Sequence, residues 1–477
     1  MSKKVRPALL KGFDQEYLPE DQLLFNSLVD RIRRSFELFG FMPIETPSAE
    51  LVEVLTSKGG VEKEIYAITR LAGDPAEAKS ARGALHFDLT VPLARYVAMR
   101  EHALAFPFRR YQIQRVWRGE NPQANKGRFR EFYQCDIDII NKGSLGYLAE
   151  AEIPSVVFRV FSEMGIGAFR IRLNNRKVLR GLLQHFDVPD DRAAGVLRIL
   201  DKADRESLSA TLEGLEREGL TPKLASELHD LLSYKKSSTK AVLDTLKELR
   251  GNELLNTGVN ELTAVVDAVR DFGVPDHAFG VDLSVVRGLD YYTGTIFETT
   301  LLSHPELGSI CSGGRYDDLA SHFTNTKLPG VGISIGLTRL FSSLLEKKVL
   351  RRPDRTPAEV LVTTMDPGFL NRYLDMGNAL REAGINTEVY LESAKLGKQL
   401  EYANKRKFRL ALVAGDGEFA RNAVQAKDLL NQTPIELSLN TFVLDVQRIL
   451  EDLRTRIPPM HGPYERDTDD VSSMKDN

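Results

Sequence analysis

Two strand-forming runs, RRYQIQRVWR (109–118) and FREFYQCDIDII (129–140), flank the polar connection ENPQANKG (120–127). Such a connection, rich in Gly, Pro and Asn, predicts a long hairpin loop, so the two runs pair as antiparallel strands. Side chains alternate across a strand, so Gln134, Asp136 and Asp138 share one face and the apolar Cys135 and Ile137 between them share the other. This hairpin constrains the fold more than any other stretch, because it requires an antiparallel sheet with one polar face. That face either meets solvent, as in a half-exposed sheet, or forms the polar floor of a ligand site. LHFDLTVPL (85–93) reads as a third strand, with Leu85, Phe87 and Leu89 on one face and His86, Asp88 and Thr90 on the other.

Around this hairpin the texture shifts along the chain. Residues 18–40 predict an amphipathic helix stopped at Gly40, and FMPIETPSAE (41–50) is extended and punctuated by prolines. Helical patterns with leucine faces and charged backs occupy about 175–262, and strand signals return at 279–300 and 308–336. Among the latter, RGLDYYTGTIFE (287–298) reads as a strand that carries a cation, two phenols and a gap at Gly294. After the polar hinge KKVLRRPDRTPAE (347–359), strands and helices alternate over about 100 residues, as in a compact α/β domain. The segmentation is therefore 1–174 core, 175–262 helical insertion, 263–346 second part of the core, 347–356 hinge, 357–455 α/β domain and 456–477 disordered tail.

Bulk properties narrow the function classes. A length of 477 residues suits two or three domains, and no apolar run reaches the roughly 18 residues of a membrane span. The two cysteines argue against a disulfide framework, and their spacing with the eight histidines implies no metal site. A cytoplasmic location follows as the expectation. The net charge of −3 excludes a broadly basic nucleic-acid binder but leaves room for local patches. One such patch is KLGKQLEYANKRKFR (395–409), with Lys395, Lys398, Lys405, Arg406, Lys407 and Arg409; it is either a solvated helix face or a phosphate contact.

Arginines stand where a strand core would not choose them: Arg118, Arg128 and Arg130 about the hairpin, Arg287, and Arg339 in VGISIGLTRL (331–340). Each alone reads as a surface ion pair; together, near glycines and aromatics, they suit phosphate. The Walker and Rossmann loop patterns are absent. A nucleotide here would be held by arginines on an antiparallel sheet.

These segments resemble those of the histidyl-tRNA synthetases, which are class II aminoacyl-tRNA synthetases. The resemblance covers about residues 10–455. IETPSAE resembles class II motif 1, FRRYQIQRVWRGENPQANKGRFREFYQCDIDI motif 2 with its loop, and VGISIGLTRL motif 3. RGLDYYTGTIFE and SGGRYDDL resemble the two signature segments of the histidine enzymes. The resemblance implies an α+β fold: a class II antiparallel sheet core with a helical insertion, plus a C-terminal α/β anticodon-binding domain. It implies that L-histidine is activated by ATP, with Mg²⁺, and transferred to tRNA(His), and that no tightly bound protein-ligated metal is needed.

By motif position, Asp88 and Thr90 would hold the α-amino group and Arg118 the carboxylate and α-phosphate. Arg128 and Arg339 would hold ATP phosphates, with Phe132 stacking on adenine. Gln134, Asp138, Tyr291 and Tyr292 would form the imidazole pocket, and Arg287 would contact the α-phosphate; Arg118 and Arg287 are the catalytic pair. FDLTVP carries Asp88 where many bacterial members have Glu. The apolar helix at 18–40 and the place of motif 1 in this family imply a homodimer. The alternative is a non-charging paralogue that senses histidine as a regulatory subunit of a biosynthetic transferase. Such paralogues lack the anticodon domain, whereas this chain has the 357–455 region.

Overall fold

The long hairpin forms in a computed structural model, which describes residues 6–57, 62–71, 81–123, 127–203, 206–232, 238–249, 252–286, 292–350, 356–429 and 434–456. The strands are β1 (Met42–Pro43), β2 (Ala49–Leu51), β3 (Ala67–Ile68), β4 (Gly83–Leu85), β5 (Phe108–Trp117), β6 (Glu131–Ile140), β7 (Phe169–Asn175) and β8 (Phe279–Val281). They continue with β9 (Thr295–Leu301), β10 (Ser309–Tyr316), β11 (Gly330–Gly336), β12 (Val360–Val362), β13 (Thr387–Val389), β14 (Leu410–Val413), β15 (Ala423–Asp428) and β16 (Pro434–Ser438). The described residues fall into two compact units, one within Met1–Glu16 and Phe25–Leu350, the other within Tyr17–Leu24 and Arg351–Asn477.

The larger unit is built on an eight-stranded sheet ordered β1-β5-β6-β11-β10-β9-β7-β8. Pairing is antiparallel from β5 through β7 and parallel only at the two edges. Cys135, Ile137 and Ile139 on β6 lie opposite Ile335, Ile333 and Val331 on β11, and all are buried. The intervening positions Gln134, Asp136 and Asp138 are buried too, at 7, 2 and 4% exposure. The polar face is therefore covered, not solvated. A separate three-stranded sheet, β2-β4-β3, precedes the hairpin.

LHFDLTVPL departs from the strand reading. β4 ends at Leu85, and a helix begins at Thr90 and runs to Arg100. The amide of Val91 donates to Asp88 Oδ1 at 3.2 Å, so Asp88 satisfies one of the donors left open at a helix start. The expected alternation of faces is lost with the strand. His86 is fully buried, with Nε2 2.8 Å from the Arg115 carbonyl and its ring beside Trp117.

The expected boundary at 262 falls inside one helix, Glu253–Asp271. That helix packs on the helices Arg176–His185 and Tyr147–Met164 and on β7, so it belongs to the layer behind the sheet. Its contact with Arg176–His185 is backbone to backbone. A Cβ on Gly181 would stand 2.6 Å from Leu255 Cα, and one on Gly258 would stand 2.6 Å from the Val178 nitrogen.

In the smaller unit a five-stranded sheet is ordered β13-β12-β14-β15-β16, parallel across β13, β12 and β14 and antiparallel beyond. Val360, Val362, Leu410, Leu412 and Val424 build its core with Tyr373 and Leu380 from the helix Leu370–Glu382. β15 and the short helix Asp416–Ala420 were not anticipated from the sequence. Of the basic span, Lys395, Lys398, Lys405, Arg406 and Lys407 are exposed. Arg409 is not part of that surface: it is 5% exposed, with Nε 3.7 Å from Glu359 Oε1.

Candidate active site

The register of the sheet builds a polar floor. Arg110, Gln112 and Gln114 on β5 stand directly opposite Asp138, Asp136 and Gln134 on β6. On the other side of β6, the same three residues face Gly332, Ser334 and Gly336 on β11. Cross-strand partners share a face, so these nine positions make one surface. From Phe132 to Asp138 the floor extends roughly 20 Å at a strand's rise per residue.

A cavity of about 520 Å³ opens over this floor. Asp88, Thr90, Arg118, Arg128, Phe132, Gln134, Asp138, Tyr292 and Arg339 all line it. Arg287 and Tyr291 lie outside the described residues. Of the strand expected over 287–298, residues 295–298 lie in β9, which starts at Thr295, and Tyr292–Gly294 precede it. Arg130 does not line the cavity; its Nε donates to the Glu120 carbonyl at 3.2 Å.

The two ends of the floor differ chemically. At one end are Phe132 and Arg118, whose guanidinium carbon is 5.1 Å from the Phe132 ring centre. Arg118 Nε donates to the Phe87 carbonyl at 3.0 Å, which pins the side chain at the cavity wall. Arg339 follows Gly336 on the helix Leu337–Glu346, and its Nη2 donates to the Leu307 carbonyl at 2.6 Å. Arg128 stands in the turn closing the hairpin, in an isolated bridge with Gln123. This end offers permanent cations beside an aromatic face, which suits a nucleotide with its phosphates.

At the other end are carboxylates. Asp138 Oδ1 accepts from the Tyr316 hydroxyl at 2.7 Å, and its Oδ2 is 2.5 Å from Arg110 Nη2. Burial pushes the Asp138 carboxyl up to about 6, against the opposing pull of Arg110 and Tyr316. Burial pushes Asp136 up to about 7, again opposed by Arg110 and by a hydrogen bond from Ser334. Asp88 is also raised by burial, offset by the Val91 amide, Arg118 and His86. Gln134 Nε2 donates to Ser334 Oγ at 2.5 Å, while its Oε1 and Asp136 Oδ1 are buried without a hydrogen-bond partner. Buried polar atoms left in this state seek a ligand's donors. A carboxylate accepts up to about four hydrogen bonds, so Asp138 keeps capacity for a donor from the cavity.

Glycines make room for these groups. A Cβ on Gly332 would collide with Asp138 Oδ1, and one on Gly330 with the Tyr316 ring. Gly336 has open space around its Cβ position and lines the cavity, so close approach of a ligand to the backbone is available only there among these three. Gly294, the gap in RGLDYYTG, accommodates a neighbour: its Cβ would stand 2.7 Å from Arg315 Cδ. Arg315 in turn bonds Glu150 Oε1 at 2.6 Å and pairs with Asp317, which accepts from Thr293 at 2.7 Å.

Sequence reasoning missed Arg110, Tyr316 and Ser334. Tyr316 lay in SGGRYDD and Ser334 in VGISIG, but their approach to Asp138 and Gln134 depends on strand order. Arg110 carried a signal, the parity of a charged residue within the hairpin, which only the register turns into a contact. Among the described residues, no group of three or more His, Cys, Asp or Glu side chains is arranged to hold a metal ion.

Comparisons with known proteins bear on the whole chain. Residues 14–340 match a family model described as Histidyl-tRNA synthetase, and residues 359–449 match one described as Anticodon binding domain. The chain is 46% identical over 451 residues to a histidine–tRNA ligase of Stenotrophomonas maltophilia (strain K279a), covering 91% of this chain and 97% of that one. It is 45% identical over 456 residues to a histidine–tRNA ligase of Xylella fastidiosa (strain 9a5c), with 92% and 97% covered. Its structure superposes on the crystal structure of a histidyl-tRNA synthetase from Nostoc sp. PCC 7120 with a TM-score of 0.84 at 39% identity, covering 93% of this chain and all of that one. An α+β sheet core followed by an anticodon-binding domain, matched along nearly its full length at this identity, means that the chain belongs to the histidyl-tRNA synthetase family.

Proposed function

We propose that the protein is a histidine–tRNA ligase that activates L-histidine with ATP and transfers it to the 3′ end of tRNA(His). The carboxylate of histidine attacks the α-phosphorus of ATP, the bond to the bridging oxygen breaks, and pyrophosphate leaves. The terminal adenosine hydroxyl of tRNA then attacks the carbonyl of the adenylate and AMP departs. The observation that carries this reading is one cavity whose floor has arginines and an aromatic ring at one end and buried carboxylates at the other. The two ends match an adenylate and an imidazole held on one sheet.

Asp88 and Thr90 take the α-amino group at the helix start. Arg118 and Arg287 supply positive charge where the phosphorus gains negative charge, and a carboxylate nucleophile needs no general base. Arg128, Arg339 and Phe132 bind ATP; its Mg²⁺ enters with the nucleotide as part of the substrate. Gln134, Asp138, Tyr291 and Tyr292 select histidine. A site that hydrogen-bonds a polar side chain rejects analogues lacking it by roughly 10⁴-fold or more, so no editing step is required. The anticodon-binding region 357–455 engages tRNA, the protein works as a homodimer, and its place is the cytoplasm with the rest of translation. None of the described helices is long and apolar enough to cross a membrane.

The sensing-paralogue alternative is disfavoured by the anticodon-binding match at 359–449 and by the identity to histidine–tRNA ligases over nine-tenths of the chain. ATP–pyrophosphate exchange screened across the amino acids tests the reading. Exchange with histidine alone is the expected result; histidine binding without exchange would favour the sensor.

A further inference from the structure

We propose that Arg110 is a positioning residue for histidine recognition: from the neighbouring strand, buried at the edge of the floor, it holds the Asp138 carboxylate ionised and aimed for the imidazole. The proposal rests on the ligase reading of the cavity. Arg110 is fully buried and does not line the cavity, so it cannot touch substrate directly. Its Nη2 lies 2.5 Å from Asp138 Oδ2, with side-chain exposures of 0 and 5%.

Its own position is fixed by a chain of buried amides. Arg110 Nη1 donates to Gln112 Oε1 at 3.3 Å. Gln112 Nε2 donates to Gln114 Oε1 at 2.6 Å and to Thr46 Oγ1 at 3.0 Å, and Gln114 Nε2 donates to the Thr46 carbonyl at 2.8 Å. Thr46, 3% exposed, belongs to IETPSAE. Besides its ion pair with Asp138, the guanidinium is thus tethered through Gln112 to Gln114 and the IETPSAE segment, none of which lines the cavity.

The surroundings explain why a cation is needed there. Asp138 is faced by Arg110 from β5, by Tyr316 from β10, by Asp136 on its own strand and by Asp88 at the helix start; β11 presents Gly332 and Ser334. Two like charges and burial favour the protonated acid, and Arg110 is the one cation among these groups. A protonated Asp138 would lose an acceptor and present a donor to the imidazole. A buried ion pair also serves a merely structural role in many proteins, so the test must read protonation and not only stability.

The experiment is ATP–pyrophosphate exchange on the full-length protein, comparing Arg110→Gln and Arg110→Lys with wild type between pH 7 and 8.5. Removing a contacting opposite charge raises a carboxylate pKa by roughly 1–3 units. Arg110→Gln should therefore raise the histidine KM by roughly tenfold or more at pH 7, with the ATP KM within about twofold. That deficit should shrink as pH rises, because Asp138 regains its charge. Arg110→Lys keeps the cation, so its smaller loss should be independent of pH. A Gln deficit that is the same at both pH values, or an equal rise in both KM values, would overturn the proposal. If Arg110→Gln does not fold, Arg110→Lys decides: a histidine-specific, pH-independent loss below tenfold supports the proposal, and a loss shared with ATP rejects it. Failure of wild type to support histidine-dependent exchange would instead reject the ligase reading itself.

Discussion

Asp136 provides a direct test of the electrostatics of the floor. It is 2% exposed, its Oδ1 has no hydrogen-bond partner, and its carboxyl is pushed up to about 7 from an ordinary 3.8. A carboxyl whose folded pKa exceeds its unfolded value favours the folded state fully below the unfolded value. That contribution is lost as pH rises through the folded value. For the Asp136 values this window runs from about 4 to about 7, so most of the loss falls between pH 5 and 8 and amounts to about 2–3 kcal/mol.

Asp136→Asn keeps the shape and removes the titration. Relative to wild type, the variant should gain stability as pH rises. For a unit of roughly 300 residues, about 1–2 °C accompanies each kcal/mol, so the difference in melting temperature should grow by about 3–5 °C from pH 5 to pH 8. The coupled carboxyls Asp88 and Asp138 also titrate more easily once Asp136 is neutral, which acts in the same direction. The measurement is differential scanning calorimetry, and the shift is expected in the unfolding of the larger unit, which holds Asp136. A melting difference that is flat or falls with pH would refute the argument that Asp136 is held against its charge.

Asp138→Ala should raise the histidine KM by roughly tenfold or more, reflecting an unpaired donor worth about 1–3 kcal/mol, and leave the ATP KM unchanged; equal effects on both substrates would point to a folding defect. Gly258→Ala forces a methyl group to 2.6 Å from the Val178 nitrogen, so it should destabilise the larger unit by roughly 1–3 kcal/mol despite alanine's better helix propensity. Denaturation of an Ala variant as stable as wild type would remove the close helix contact from the account. A chain ending at Glu346 should keep histidine-dependent pyrophosphate exchange, provided sedimentation shows it dimeric, and lose most tRNA charging at low tRNA concentration; full charging by that chain would refute the role of the 357–455 region.

Local pattern alone determined a good part of this protein. The hairpin 109–140, the amphipathic helix near 18–40, the helical stretch after 175 and the α/β alternation after 359 are written in periodicity and turn composition, which act over a few residues. The pairing of Gln134, Asp136 and Asp138 on one polar face followed from strand parity. LHFDLTVPL was misread because alternation over so short a run cannot distinguish a strand from a turn that caps a helix, and Asp88 decided the matter by bonding Val91. The family resemblance carried the residue types of the site without their geometry. Which residues meet across the sheet was decided only by strand order: Tyr316 reaches Asp138 from 178 positions away, and Gln134 reaches Ser334 from 200. Arg110 shows the limit most clearly. Its identity and parity are local facts, but its buried place beside Asp138 exists only because β5 and β6 pair in one register and Gln112, tied to Gln114 and Thr46, holds it there. A buried charge is tolerated only where its partner meets it, and that meeting is a property of the assembled sheet that no stretch of sequence possesses alone.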